Sequence, residues 1–215
     1  MTYLEIVNSV LRRLREREVL SVSESSYSKL IGDFVNDARN EVETAWGWSA
    51  LRTTRTLTTT ANVFNYELNG TQNNFTILDV INDTDDQFME YRPGVWFDNA
   101  FLNQGAVTGS PAYYNFNGVA NDGDTQVDIY PIPDGVYTVR FNVILRNQDM
   151  SGDGDDLYVP SRPVILLALA KAIEERGEDG GNASMNAYAA GRSSLADEIA
   201  LDAARRPDET IWYPV

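Results

Sequence analysis

The sequence of 215 residues contains no cysteine and no histidine. The lack of cysteine excludes disulfide bonds and thiolate metal sites, and the lack of histidine removes the usual zinc ligand and the commonest general base. A Ser-His-Asp triad is excluded for the same reason. The longest apolar run, Val164 to Ala170, is far shorter than the ~20 residues that a membrane span needs. We therefore expect no catalytic residues, no metal, no cofactor and no membrane association.

Positive charge is also scarce. The chain has two lysines and fifteen arginines but 32 acidic residues, which gives a formal net charge of −15. Nonspecific binding to nucleic acid is disfavoured, because its affinity comes from cations that displace phosphate counterions. Four arginines nevertheless lie close together, at Arg12, Arg13, Arg15 and Arg17. They either complement the C-terminal end of a helix or form a subunit interface, where arginine is enriched. We favour the helix-end interpretation for any single arginine and give it less weight for the four together, which makes them candidate interface residues.

Apolar residues recur at helical spacing near both ends of the sequence. The first helix is predicted over 3–17, with Thr2 and Glu5 as a capping box, and the second over 27–46. A third helix is predicted over 162–176, ending at Gly177, and a fourth from Met185 to Pro207.

The middle of the sequence has short β-branched and aromatic runs separated by Asn, Asp, Gly and Pro, which is typical of strands. A short helix is predicted over Gly94–Leu102, and a hairpin over Asp128–Phe141. The fold class predicted is α+β. A four-helix bundle made by the N- and C-terminal helix pairs (1–51 and 151–206) carries an inserted antiparallel β-sandwich or barrel-like lobe (52–150). An extended tail (207–215) follows.

The plentiful carboxylates give little indication of catalysis. Most aspartates occur in turn-like segments, where they cap and solvate the backbone. The segment Asp149–Asp156 lacks the glutamate that an EF-hand calcium loop requires at its last position. Aromatic residues on the strands, among them Tyr113, Tyr114, Tyr130 and Tyr137, form either a core or a carbohydrate-binding face.

The tail ends in Ile211, Trp212, Tyr213, Pro214 and Val215. An apolar peptide beyond a helix-ending proline either folds back on its own domain or inserts into a partner. We favour a partner, because Trp and Tyr are frequent anchors of protein interfaces.

Four stretches occur in an order and spacing that match one known family. They are Tyr3–Asn8, Phe34–Arg39 continuing to Trp46-Gly47-Trp48, Tyr130–Gly135, and Leu157–Pro160 with the helix that leads to Glu174–Asp179. Over nearly its whole length the chain resembles a head-to-tail adaptor (connector) protein of tailed bacteriophages. None of the four stretches is a catalytic motif.

The resemblance implies a structural protein of the virion neck, assembled in the host cytoplasm. A homo-oligomeric ring of about twelve copies would bind the portal protein on one side and a tail tube or nozzle protein on the other. DNA would pass through the channel without specific binding, and the C-terminal segment would dock in the portal, with Trp212 and Tyr213 as its anchors.

Two alternatives stay open. The chain could be another tail or baseplate component whose β lobe binds a neighbouring protein or a host glycan. The more distant alternative is a carboxylate-dependent glycosidase, which would need two carboxylates ~5–10 Å apart in a cleft.

Overall fold

A computed structural model describes residues 1–103, 105–177 and 182–205. Two compact units divide the chain: a helical unit of residues 1–51 and 147–215, and a β unit of residues 52–146. The α+β class is confirmed. Within the described ranges, no helix combines the length and the apolar character needed to cross a bilayer.

Five α-helices are described. They are α1 (Tyr3–Arg13), α2 (Ser26–Ala45), α3 (Gly94–Asn103), α4 (Ser161–Arg176) and α5 (Asn182–Ala204). Short 3₁₀ helices cover Val22–Glu24 and Ser49–Leu51. Helix α3 belongs to the β unit and the other four α-helices belong to the helical unit.

The helical unit packs around α4, which contacts α1, α2 and α5. The apolar positions of the predicted periods are buried, including Ile6, Val7, Val10 and Leu11 of α1 and Ile31, Val35, Ala38 and Val42 of α2. Gly191 of α5 lies against Leu167 of α4, where a Cβ atom would come within 2.9 Å of the leucine side chain. The four-helix bundle remains an interpretation of these contacts.

Helix ends follow local chemistry. The predicted capping box is present: the Thr2 hydroxyl accepts from the Glu5 amide, and Glu5 accepts from the Thr2 amide at 2.9 Å. Helix α4 ends at Gly177, which adopts a left-handed conformation with φ of 64°. Helix α1 stops at Arg13, so the predicted continuation to residue 17 was wrong.

Eight strands form two sheets in the β unit. They are β1 (Arg52–Thr58), β2 (Asn65–Leu68), β3 (Phe75–Asn82), β4 (Gln87–Phe88), β5 (Glu90–Tyr91), β6 (Tyr113–Val119), β7 (Thr125–Tyr130) and β8 (Thr138–Leu145). The strand orders are β1-β8-β3-β4 and β2-β7-β6-β5. The β5–β6 pair is parallel, so the prediction of a purely antiparallel lobe was wrong.

Alternating residues of both sheets form one apolar cluster in the β unit, in which Val127, Ile129, Val139, Phe141 and Val143 are fully buried. This alternation is the period-2 pattern expected when one face of each strand is covered. The sandwich arrangement remains an interpretation of this shared cluster.

The predicted hairpin over Asp128–Phe141 was wrong. Strand β7 pairs with β2 and β6, whereas β8 pairs with β1 and β3, so the chain changes sheets between them. The connection contains Pro131, which follows a cis peptide bond, and Pro133. Proline has no backbone N–H to donate to a ladder, so this segment cannot continue as a paired strand.

Helix α3 packs on the second sheet as predicted for the short helix. Its Phe97 and Ala100 are buried with Tyr130 of β7, and Trp96, Phe101 and Tyr113 pack against them. The Trp96 and Tyr113 ring centroids are 4.9 Å apart.

Candidate assembly surfaces

The arginine patch, defined as Arg12, Arg13, Arg15 and Arg17, lies where α1 ends. The Glu16 amide donates to the Leu11 carbonyl at 2.9 Å, and the Arg15 amide donates to the Arg12 carbonyl at 3.1 Å. These two bonds form a Schellman motif, which requires a left-handed residue at the position of Arg15. Arg15 has φ of 60° there. A non-glycine residue is disfavoured in this conformation, so the arginine carries a local energetic penalty.

Hydrogen bonds fix the loop that carries the patch. The Asn8 side chain donates to the Val19 carbonyl and accepts from the Val19 amide, both at 2.9 Å. The Glu24 carboxylate accepts from the Leu20 amide at 2.6 Å. The loop is therefore held by α1 on one side and by the 3₁₀ helix Val22–Glu24 on the other.

All four arginines of the patch are exposed. Arg12 pairs with Glu18 at 2.8 Å, whereas Arg13, Arg15 and Arg17 form no ion pair with any described residue. Leu20, on the same loop, is 89% exposed. The sequence-predicted interface residues thus lie together on the surface, with three unpaired cations beside an exposed apolar side chain.

Arg176 binds residues that are adjacent in sequence to the arginine patch. Arg176, in the last turn of α4, donates to the Tyr27 hydroxyl at 2.8 Å and to Glu16 at 2.5 Å. Its guanidinium lies 5.2 Å from the centre of the Tyr27 ring. The hydrogen bond with Tyr27 and the pairing with Glu16 raise the pKa of Arg176. Glu16 therefore already has a cationic partner in Arg176.

An acidic stripe, defined as Asp33, Asp37 and Glu41, follows the exposed face of α2. Spacing of four residues places the three carboxylates one above another on a helix, where like charges destabilise it by a few tenths of a kcal/mol per pair. Glu41 pairs with Lys171 of α4 at 2.6 Å. Asp33 and Asp37 form no ion pair with any residue in the described ranges. Burial opposes the charge of Lys171, but the hydrogen bond to Glu41 prevails and raises the pKa of this lysine.

The predicted turn role of Asp149–Asp156 is confirmed at Asp155, which accepts from the amides of Ser151 and Gly152 at 2.8 Å. These backbone donors lower the pKa of Asp155. Asp153 instead makes a long-range bond and accepts from the Val22 amide at 2.9 Å. The loop also meets the start of α1, since the Tyr3 amide donates to the Asp155 carbonyl at 2.8 Å.

Tyr3 is buried where α1 meets α2. Its pKa is raised to about 12, chiefly by burial and further by the charges of Asp33 and Asp149. Its hydroxyl lies so close to α2 that a Cβ atom at Gly32 would come within 2.3 Å of it. The contact therefore requires glycine at this position of α2.

A buried cation on α2, Arg39, holds the segment that follows the β unit. Its guanidinium donates to the carbonyls of Asn147 and Gln148 and to the Asp149 carboxylate. One turn earlier, Asn36 donates to the Met150 carbonyl and accepts from the Met150 amide, both at 3.0 Å. Sequence reasoning missed these roles, because helical periodicity marks Asn36 and Arg39 only as polar residues of α2.

Asp202 fixes the end of α5. It accepts from the Trp46 indole at 2.9 Å and from the Ser49 hydroxyl and amide. The sequence-predicted docking residues Ile211, Trp212, Tyr213, Pro214 and Val215 lie outside the described residues. They follow a helix whose last turn is held by a buried carboxylate.

Three carboxylates of the β unit, those of Glu67, Asp122 and Asp124, have oxygens within 4.8 Å of one another. This is a donor set that suits a hard cation such as calcium. Asp124, however, accepts the amides of Gly70, Thr71 and Gln72, which lower its pKa. A hydrogen bond with Asp122 raises the pKa of Glu67. Asp124 thus acts as the cap of a loop.

The strand aromatics named as a possible carbohydrate platform are mainly core residues. Tyr114 is buried in the apolar cluster shared by the two sheets, and Tyr130 is buried beneath α3. Trp96 covers Tyr113. Tyr137 donates to Asp134 at 2.5 Å, and this hydrogen bond raises its pKa to about 12.

Comparison with known proteins agrees with the resemblance seen in the sequence. The model of the SU10 adaptor protein family matches residues 1–211. No curated protein matches the chain significantly. Because the match covers almost the whole sequence and includes both units, the chain belongs to the SU10 adaptor protein family, a family of phage head-to-tail adaptors.

Proposed function

We propose that this phage adaptor forms a ring below the portal, joins the portal to the tail and continues the channel for DNA. Family membership over residues 1–211 is the observation that carries the proposal. The proposal includes no catalytic step. Copies of the chain associate through Arg–carboxylate and apolar contacts, with a ring of about twelve copies as the closed assembly. A tail tube or nozzle protein binds the opposite side.

The segment Ile211–Val215 docks in the portal, with Trp212 and Tyr213 as anchors. Its sequence supports this role, because Trp and Tyr combine a large apolar area with few rotatable bonds. Asp202 holds the end of α5, the helix that precedes this segment in the sequence.

The net charge of −15 suits a channel protein. An acidic surface repels the phosphate backbone, so DNA passes without being retained. We expect the wild-type chain to show no measurable binding to duplex DNA at physiological salt.

Native mass spectrometry of the chain mixed with the portal ring tests the function. We expect the portal to gain about one adaptor per subunit, in keeping with closed cyclic symmetry. A folded chain that does not bind the portal ring contradicts the proposal and favours the alternative in which the β unit is a binding module. Glycan arrays test that alternative, because an adaptor should bind no glycan.

Two variants test the docking segment. A chain that ends after Arg206 should keep the melting temperature of the wild type and lose attachment to the portal. Full-length Trp212→Ala/Tyr213→Ala should lose attachment in the same way, which separates the anchors from the length of the chain. Normal attachment of both variants would rule out the anchor.

A further inference from the structure

We propose that the arginine patch of one copy docks on the acidic stripe of the next copy, so that copies join head to tail. The inference rests on the ring assembly proposed above and names the two surfaces that make it. The stripe supplies Asp33, Asp37 and Glu41, and the patch supplies Arg13, Arg15 and Arg17.

The first argument is the number of cations left unpaired in an acidic chain. Arg13, the last residue of α1, and Arg15 and Arg17, on the loop that follows, are exposed and have no ion pair with the described residues, although the chain carries 32 acidic side chains. Copies with a net charge of −15 repel one another. A ring therefore needs a concentrated cationic surface at each junction, and the patch is such a surface.

The second argument is the geometry of the stripe. Asp33 and Glu41 are eight residues apart on α2, which corresponds to ~12 Å along the helix axis. Arg17 follows Arg13 by four positions, and the chain leaves the helix between them, so their flexible side chains can span a comparable distance. Arginine pairs with carboxylates through two parallel hydrogen bonds, which gives such a contact a defined register.

The third argument is the conformation of Arg15. The Schellman motif needs a left-handed residue there, and glycine would meet that need without penalty. A penalised side chain on an exposed loop points to a use outside the monomer. The hydrogen bonds from Asn8 and Glu24 hold the loop in place, so a partner meets a surface that is already ordered.

A second copy is a better occupant than nucleic acid. Phosphates would also pair with arginines, but they would approach a chain whose overall charge repels them. The carboxylates of the stripe lie on the same helical unit as the patch, so every copy brings both halves of the contact. Leu20, exposed beside the patch, adds the apolar contact that a protein partner would cover.

Disulfide trapping tests the contact directly, because the chain has no cysteine of its own. Arg15→Cys and Asp37→Cys are made as separate proteins, mixed at low salt with and without the portal ring, and oxidised. We expect a cross-linked heterodimer in the mixture. The control mixture of Arg15→Cys with Glu175→Cys, which replaces an exposed residue of α4, should give about tenfold less product.

The double variant Arg15→Cys/Asp37→Cys tests whether the contact is head-to-tail or isologous. A head-to-tail contact gives a ladder of cross-linked multimers. A product that stops at the dimer means that the contact is isologous and overturns the head-to-tail arrangement.

Charge exchange gives an independent readout by sedimentation velocity. Arg13→Glu/Arg17→Glu should lose self-association, and so should Asp33→Arg/Asp37→Arg. An equimolar mixture of the two variants should regain association, because each copy then meets an opposite charge on its neighbour. Failure of the mixture to associate, with both variants folded by circular dichroism, overturns the pairing.

Matched controls carry the same change in net charge at other exposed positions of the helical unit. Arg162→Glu/Arg192→Glu and Glu175→Arg/Asp197→Arg should associate like the wild type. Equal loss in these controls would mean that net charge, rather than this pair of surfaces, drives association, and would contradict the proposal.

The outcomes separate the two proposals. If the portal gains adaptors but the Arg15–Asp37 pair does not cross-link above the control, the ring proposal stands and this interface is wrong. If the portal gains nothing, the proposed function itself fails. Loss of duplex DNA binding in Arg13→Glu/Arg17→Glu, with self-association unchanged, would assign the patch to nucleic acid and overturn the inference.

Discussion

Replacing the buried Arg39 by methionine should cost the helical unit about 3–5 kcal/mol. Arg39 is 2% exposed and donates to two carbonyls and one carboxylate of the segment after the β unit. Its Nε also lies 3.6 Å from the carboxylate of Glu43, which is equally buried. Methionine has a similar volume, so the expected loss comes from acceptors without donors and from an uncompensated buried charge rather than from a cavity.

That loss is at least about a fifth of the 5–15 kcal/mol that stabilises a typical domain. Urea unfolding followed by far-UV circular dichroism measures it, since the helices dominate that signal. Unfolding of the helical unit should shift to lower urea without a change of slope, because the surface exposed on unfolding stays the same.

The matched variant is Asp149→Asn, which removes the exposed partner of the same guanidinium. The Asp149 side chain is 68% exposed, so its ion pair with Arg39 should contribute no more than about 1 kcal/mol. A loss below about 1 kcal/mol for Arg39→Met, or an equal loss for Asp149→Asn, would refute the argument that buried acceptors and Glu43 set the magnitude.

Three further substitutions test single contacts. Arg15→Gly should raise the free energy of unfolding slightly, by up to about 1 kcal/mol, because relief of the left-handed penalty exceeds the entropy that glycine adds to the unfolded chain; a lower melting temperature would contradict this. Asp124→Asn should destabilise the β unit by about 2 kcal/mol at pH 7. The pKa of Asp124 is lower in the folded than in the unfolded chain, so its stabilising contribution is complete above the unfolded pKa of 3.8 and is lost as the pH falls through the folded pKa. The difference in stability between wild type and Asp124→Asn should therefore disappear only below about pH 4. Gly32→Ala should cost about 1–3 kcal/mol by thermal unfolding, and adding Tyr3→Phe should recover part of that loss, since the Tyr3 hydroxyl is the nearest atom to the new methyl group.

The helices of the helical unit could be predicted from the sequence because their apolar positions repeat every three or four residues and are buried as a set. The end of α1 could not. Arg15 takes the left-handed position that glycine usually fills, so the sequence carries no stop signal between residues 14 and 17.

The sequence predicts where strands lie better than it predicts which strands pair. Alternation identifies β7 and β8, but it does not say which strands they pair with. The Asp134-Gly135 pair is typical of a hairpin, yet Pro131 and Pro133 interrupt the donors on one side, and the chain leaves one sheet for the other. Long-range pairing of this kind depends on the whole β unit.

The sequence predicts which residues make up the candidate surfaces, but not which of their charges are paired. The arginine patch is visible because its members are close in sequence. The acidic stripe could also have been predicted, because its three members repeat every four residues on the predicted helix. Which charges are paired requires the structure: Arg12 and Glu41 form ion pairs, whereas Arg15 and Asp37 form none with the part of the chain that the structure describes.

The stretches that carry the family resemblance contain polar residues that hold distant parts of the helical unit together. Four of them bond the backbone or side chain of residues that lie at least eleven positions away: Asn8 to Val19, Asn36 to Met150, Arg39 to Asn147, and Trp46 to Asp202. Hydrogen bonds of this kind fix where the chain leaves and re-enters the unit. A protein whose identifying residues set the positions of a loop, a returning segment and a helix end is suited to present surfaces in a fixed arrangement, as an adaptor between other proteins must.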